Sequence, residues 1–236
     1  MLRHAMTQQQ TQRSRMEFHC HTSSSFDSDV APATALSLAC AHGLTHLAIT
    51  DHDTIEGAVR AREVAPQGLT VIVSQEARTT EGDMIALFVE LPIASGMTPE
   101  ETAAEIRGQG GIVGLPHPFD VYRPSIARGA VRLQQLTRLA LLTDYVEVHN
   151  GRVSDPRANE LAADFARDFG LPGVAASDAH TEAEIGSCAT LLSGSIESAA
   201  ELLASLRAGT TLSVREPDPP ERFMDRLRSR FGRDQR

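Results

Sequence analysis

The 236-residue sequence has no Lys and no Trp, only two Tyr and only three Cys. Without Lys every side-chain ammonium is missing, which excludes a P-loop lysine and Schiff-base chemistry. Cys20, Cys40 and Cys188 are too few and too widely spaced for a disulfide framework or a CxxC zinc site, and point to a reducing, cytoplasmic compartment. No apolar run approaches the roughly 18 residues of a transmembrane span, which predicts no membrane partner. Residues 1–15 are polar and Gln-rich without the apolar centre of a signal peptide, and read as a disordered extension. Positive charge is also scarce: the net charge of −9 argues against a general nucleic-acid or membrane-surface binder. No GxGxxG or GxxxxGK[ST] follows a β-rich run, which weakens a nucleotide-binding α/β fold.

What is present is an alternation of short β-rich runs with longer helical ones. Strands are predicted at Met16–Cys20, His46–Thr50, Thr70–Ser74, Met84–Phe88, Ile112–Leu115, Tyr145–His149 and Gly173–Ala176. Pro32 opens a helix that stops at Gly43. Thr98-Pro99-Glu100-Glu101 is a capping box ahead of a helix ending at Gly110-Gly111. Arg132–Leu142 and Ala158–Phe169 are further helices, and Ser195 is expected to cap a last one ending at Ala208. About seven strand-helix units in one chain predict an α/β architecture with a parallel sheet closed as a barrel. The domain is expected over residues 16–216. The Arg-rich tail at 217–236 carries Phe223, Leu227 and Phe231 on one helical face.

The acids and imidazoles fall at strand ends. His19 and His21 close the first run, two positions apart and so on one strand face, with Cys20 opposite. Asp51, His52 and Asp53 follow the second run, Glu76 the third, and His117 the fifth. His149 ends the sixth, and Asp178 and His180 follow the seventh. Asp83 is the exception, directly preceding the fourth. The C-terminal rim of a parallel barrel is where active sites are built. Imidazole with carboxylate suits Zn, Mn or Fe, and this many donors implies two or three divalent ions, Glu76 bridging two of them. Such a site fits phosphoester hydrolysis by a metal-bound hydroxide. Arg152 and Arg123 are placed to take a phosphate bidentately, and Arg78 is a third candidate; each also reads as a solvated surface Arg.

HCHT, ITDHDT, a Glu after the third strand, GLPHPFD and SDAH, in that order, resemble the PHP (polymerase and histidinol phosphatase) domain over about Met16 to Val214. EARTTEGDMIALF, GGIVGLPHPFD and VEVHNGR look more like its stand-alone metal-dependent phosphoesterases than a polymerase-attached domain. The resemblance implies a distorted seven-stranded (β/α)7 TIM-like barrel. It implies His19, His21, Glu76 and Asp178 for one metal and Glu76 with His117 for a second. Asp27, His52 and His180 would serve a third. Where many members carry His, this chain has Asp83, either a substitute ligand or a sign that the second metal is one ligand short. His149 reads as a pocket or substrate-contacting residue, or as a satisfied structural His. Asp51 and Asp53 would orient His52 or a metal-bound water. His180 or Asp178 would protonate the leaving oxygen. The expected activity is hydrolysis of a small phosphate ester, a nucleotide or sugar phosphate. Two alternatives remain: a short-oligonucleotide 5′-3′ exonuclease or cyclic-phosphate diesterase acting on short RNA, and a non-catalytic binding module that works through its tail.

Overall fold

The structure, a computed structural model, describes residues 13–127 and 133–215. Residues 1–12, most of the expected N-terminal extension, and the whole 217–236 tail lie outside the described residues. The chain runs β1 (Arg13–Glu17), α1 (Pro32–Ala41), β2 (His46–Ile49), α2 (Glu56–Glu63), β3 (Thr70–Arg78), β4 (Asp83–Leu87) and α3 (Pro99–Gly108). It continues with β5 (Ile112–Leu115), α4 (Leu133–Leu142), β6 (Tyr145–Asn150), α5 (Pro156–Phe169), β7 (Gly173–Ala176), β8 (Cys188–Ser193), α6 (Ala199–Ala208) and β9 (Thr211–Val214). No helix among the described residues is long and apolar enough to cross a membrane.

Local chemistry sets most boundaries. Thr98 and Glu101 form the expected capping box, the Thr98 hydroxyl accepting from the Glu101 N–H and the Glu101 carboxylate from the Thr98 N–H. Gly170 ends α5 in the left-handed conformation at φ 66°. Asp155 caps α5 with Pro156 behind it, two residues before the expected start. The cap of α6 is Ser198, which accepts from Glu201 N–H, rather than Ser195. Arg13–Arg15, expected in the extension, instead pair with β8 as the start of β1. That strand stops at Glu17 rather than Cys20, because the Glu17 carboxylate accepts from the N–H groups of Phe18 and His19.

Strands β1 to β7 lie in the order β7-β6-β5-β4-β3-β2-β1, with β8 and β9 added beyond β1. The circle closes at the rim, where Cys20 bridges Ala179 and the His21 N–H donates to the Ala179 carbonyl at 2.8 Å. The Thr190 hydroxyl of β8 accepts from Ala175 N–H on β7 at 2.9 Å. The expected seven-stranded barrel is thus present, with two corrections. Strand β4 is antiparallel to both neighbours, β3 and β5, so the sheet is mixed. The antiparallel strands β8 and β9 extend it beyond seven among the described residues. Met16, Phe18, Ile72, Ile85, Ile112, Tyr145 and Val174 cluster with one another, while Leu47, Ile49, Val71 and Val73 pack with α1, α2 and α3. All three cysteines are free thiols.

His46 offers a test of this packing away from the rim. Its Nε2 donates to the Ile196 carbonyl at 2.8 Å, and Nδ1 lies 2.8 Å from the Thr45 hydroxyl. Burial pushes the imidazole below its ordinary pKa of 6.5, the bond to Ile196 working against that. The unfolded chain therefore takes this proton first, and the contribution of His46 is lost as pH falls below about 6.5. His46→Gln should lose less stability than wild type between pH 7.5 and 5.5 in denaturant titrations; parallel losses would contradict it.

Candidate metal centre

The topology gathers the candidate residues at one end of the barrel. His19 and His21 follow β1, His52 follows β2 and bridges Glu76, and Glu76 lies within β3 itself. Asp83 begins β4, and because β4 is antiparallel its start pairs with Arg78 at the end of β3. That direction explains the one residue that seemed to sit at the wrong end of its strand. His117 and Asp178 follow β5 and β7 with positive φ, 25° and 55°. Non-glycine residues held there are uncommon and cluster at functional sites.

Four imidazoles meet one carboxylate. Glu76 lies 3.1 Å from His19 Nε2, 3.3 Å from His21 Nε2, 3.4 Å from His52 Nδ1 and 3.2 Å from His117 Nε2. Asp178 is 3.5 Å from both His19 and His21. Asp27 is 2.8 Å from His180 Nε2 and 3.3 Å from His52 Nε2. Three-donor groups recur within this set: His19, His21 and Glu76; His19, His117 and Asp178; and His52, Glu76 and Asp83. A fourth group is His21, Asp27, His52 and His180. The donors of each group lie within 4.8 Å of one another.

The electrostatics are those of a cation site. Burial alone would raise Glu76, but the His19 charge and bonds from His117, His19 and His21 hold it well below the carboxylate range. Burial opposes charge on His21, yet bonds to Asp178 and Glu76 lift it to about 9. Asp83 is pushed up to about 8, first by burial and then by the Glu76 charge, and its buried Oδ1 has no hydrogen-bond partner among the described residues. An orphaned carboxylate oxygen facing a second carboxylate fits a divalent cation between them. The residues present therefore suit divalent cations.

A cavity of ≈ 310 Å³ opens on this cluster, lined by Asp27, His52, Glu76, Asp83, His117, Asp178 and His180 together with Arg78, Arg123 and Arg152. Arg123 pairs with Asp178 and lies 3.3 Å from Asp120. Among the described residues, the Arg152 guanidinium pairs with Glu184 alone, at 3.5 Å. His149 does not line the cavity. A β-bulge between Glu147 and His149 shifts the register, and Asn150 reaches the site instead, 3.1 Å from Asp178. Asp51 does not orient His52: its carboxylate accepts from the N–H and hydroxyl of Thr22, bracing the turn beside His21. Asp53 holds Arg78.

Glu147 is the principal residue that sequence reasoning missed. One oxygen lies 2.8 Å from His19 Nδ1; the other accepts from His117 N–H and Asn150 Nδ2. Strand alternation from Tyr145 places it inward, a signal obscured by the neighbouring His149. Asn150 and the exposed Phe26 were also missed.

A mixed barrel with this histidine-carboxylate rim defines the class, and the comparisons agree. The family described as PHP-associated matches residues 156–211. An uncharacterized protein of Methanocaldococcus jannaschii is 36% identical over 137 residues, covering 58% of this chain and 75% of that one. A Bacteroides vulgatus two-domain protein containing a predicted PHP-like metal-dependent phosphoesterase superimposes with a TM-score of 0.72 at 19% identity, over 87% of this chain and 66% of that chain. A novel lesion-specific endonuclease of Pyrococcus furiosus has a TM-score of 0.61 at 15% identity, over 85% and 58%. The chain belongs to the PHP domain family.

Proposed function

We propose that the chain is a metal-dependent phosphoesterase that hydrolyses a small phosphate ester, a nucleotide or sugar phosphate. The observation that carries this reading is the buried Glu76 carboxylate within 3.1 to 3.4 Å of four imidazoles. His19, His21, Glu76 and Asp178 would hold one ion, Glu76, His117 and Asp83 a second, and Asp27, His52 and His180 a third. Ions held there supply a water of lowered pKa and neutralise phosphoryl oxygens. Glu147 fixes the His19 ring so that Nε2 faces the cluster. Asn150 and Arg123 engage one Asp178 oxygen and leave the other toward His19 and His21. Those bonds require Asp178 as an acceptor, so the proton for the leaving oxygen is assigned to His180. Its Nδ1 donates to the Asp178 carbonyl and its Nε2 lies 2.8 Å from Asp27, so a proton given up by His180 would leave from Nε2, the same atom that would bind a third ion. His180 therefore acts as an acid only where that ion is absent.

Arg152, the least engaged cation of the cavity, is assigned the phosphate. Arg152→Ala should raise KM about tenfold through a lost charge-assisted bond, read in steady-state kinetics. The wider test is phosphate release from a small-ester panel with Mn, Zn and Fe, with a 5-mer RNA as the diester arm. No turnover by protein loaded with two ions or with three would overturn the reading. The fold shared with the Pyrococcus furiosus endonuclease motivates the diester arm. Faster cleavage of the 5-mer than of any monoester would favour a nuclease.

A further inference from the structure

Phe26 is a large aromatic side chain left 78% exposed at the cavity wall. Its ring lies against His52, centroids 5.0 Å apart and planes 22° from parallel. The residues beside it are pinned. The Ser25 hydroxyl accepts from His52 N–H and donates to Asp27 at 2.7 Å, and Asp27 meets His180 at 2.8 Å. An aromatic ring with a supported inner face and an open outer face, sharing a small cavity with Arg152, is built as a stacking platform.

We propose that Phe26 stacks on a planar base carried by the substrate, so that the site selects a nucleoside phosphate over a bare sugar phosphate. This rests on the phosphoesterase reading and chooses between its two substrate classes. Stacking on an aromatic side chain tolerates any base, because every base has a π-face. The site should therefore need a base and discriminate little among bases. A mononucleotide and the end of an oligonucleotide share this chemistry. The cavity of ≈ 310 Å³ is at the small end for ligand sites and favours the mononucleotide.

Adenosine 5′-monophosphate and ribose 5-phosphate carry the same reacting ester and differ in the base. Phe26→Ala should lower the ratio of their kcat/KM values about tenfold, and Phe26→Trp should keep it. The chain has no Trp, so Phe26→Trp places a single indole at the platform. Adenosine 5′-monophosphate should quench its fluorescence and ribose 5-phosphate should not. An unchanged ratio in the Ala variant, or no difference in quenching between the two compounds, overturns the proposal. If metal-loaded protein hydrolyses no ester of the panel, the phosphoesterase reading fails, and the quench by adenosine 5′-monophosphate alone still decides the role of Phe26. A 5-mer RNA that quenches at lower concentration than the mononucleotide assigns the platform to an oligonucleotide end; the reverse order assigns it to the free nucleotide.

Discussion

Glu76→Gln is expected to lower metal-dependent kcat/KM by about 10³ or more and to remove at least one ion from the metal-loaded protein. The carboxylate is only 1% exposed, and both its oxygens face imidazole nitrogens. An amide of nearly the same shape replaces one acceptor oxygen with an N–H donor. It also removes the negative charge that balances the surrounding imidazoles. Loss of a ligand shared between ions forfeits several kcal/mol of charge stabilisation, and each 1.36 kcal/mol is tenfold in rate. Element analysis and steady-state kinetics are the two measurements. Because the substitution conserves volume, retained folding with lost metal would identify Glu76 as a ligand. Full metal content with full activity would remove it from the centre and with it the proposed function.

The site was legible where strand parity alone decides geometry. HxH puts two imidazoles on one face wherever the backbone is extended, so His19 and His21 meet even though the β1 ladder ends two residues earlier. Strand ends were equally readable for His52, His117, Asp178 and His180. Strand direction was not. Nothing in the alternation of "DMIAL" distinguishes a parallel from an antiparallel strand, and the placement of Asp83 depended on that alone. Register was hidden for the same reason. The bulge in β6 sets Asn150 rather than His149 against Asp178, and a bulge leaves no periodic signature. β8 and β9 went unread because they extend the sheet outside the strand-helix alternation that organised the rest of the chain. The roles of Asp51 and Asp53 turned on which neighbour each carboxylate finds. Thr22 is 29 positions from Asp51, and Arg78 is 25 from Asp53. Such pairings are set by tertiary packing.

Gly114→Ala should destabilise the protein by about 3 kcal/mol through overpacking inside the barrel. Gly114 on β5 pairs with Tyr145 on β6, and the phenol ring lies over the glycine. A Cβ there would sit 2.7 Å from Tyr145 Cε1 and closer still to its Cζ and hydroxyl oxygen. The ring cannot swing aside freely, since Phe18 packs against it with centroids 5.1 Å apart and planes at 59°. Tyr145→Phe alone should be neutral or slightly stabilising, because the buried hydroxyl has no hydrogen-bond partner among the described residues. Gly114→Ala with Tyr145→Leu should recover most of the loss, giving a positive coupling in a double-mutant cycle. Urea titrations read these effects as shifts in midpoint at constant slope. The consequence reaches the rim, because β5 leads to His117 and β6 carries Glu147, and His117 N–H donates to Glu147 at 3.1 Å. A strand pair forced apart at Gly114 loosens that bond and with it the setting of His19. Activity in Gly114→Ala should therefore fall even under conditions where the variant remains folded. A variant as stable as wild type would mean that the strands can separate without cost, and that the phenol does not fix their spacing.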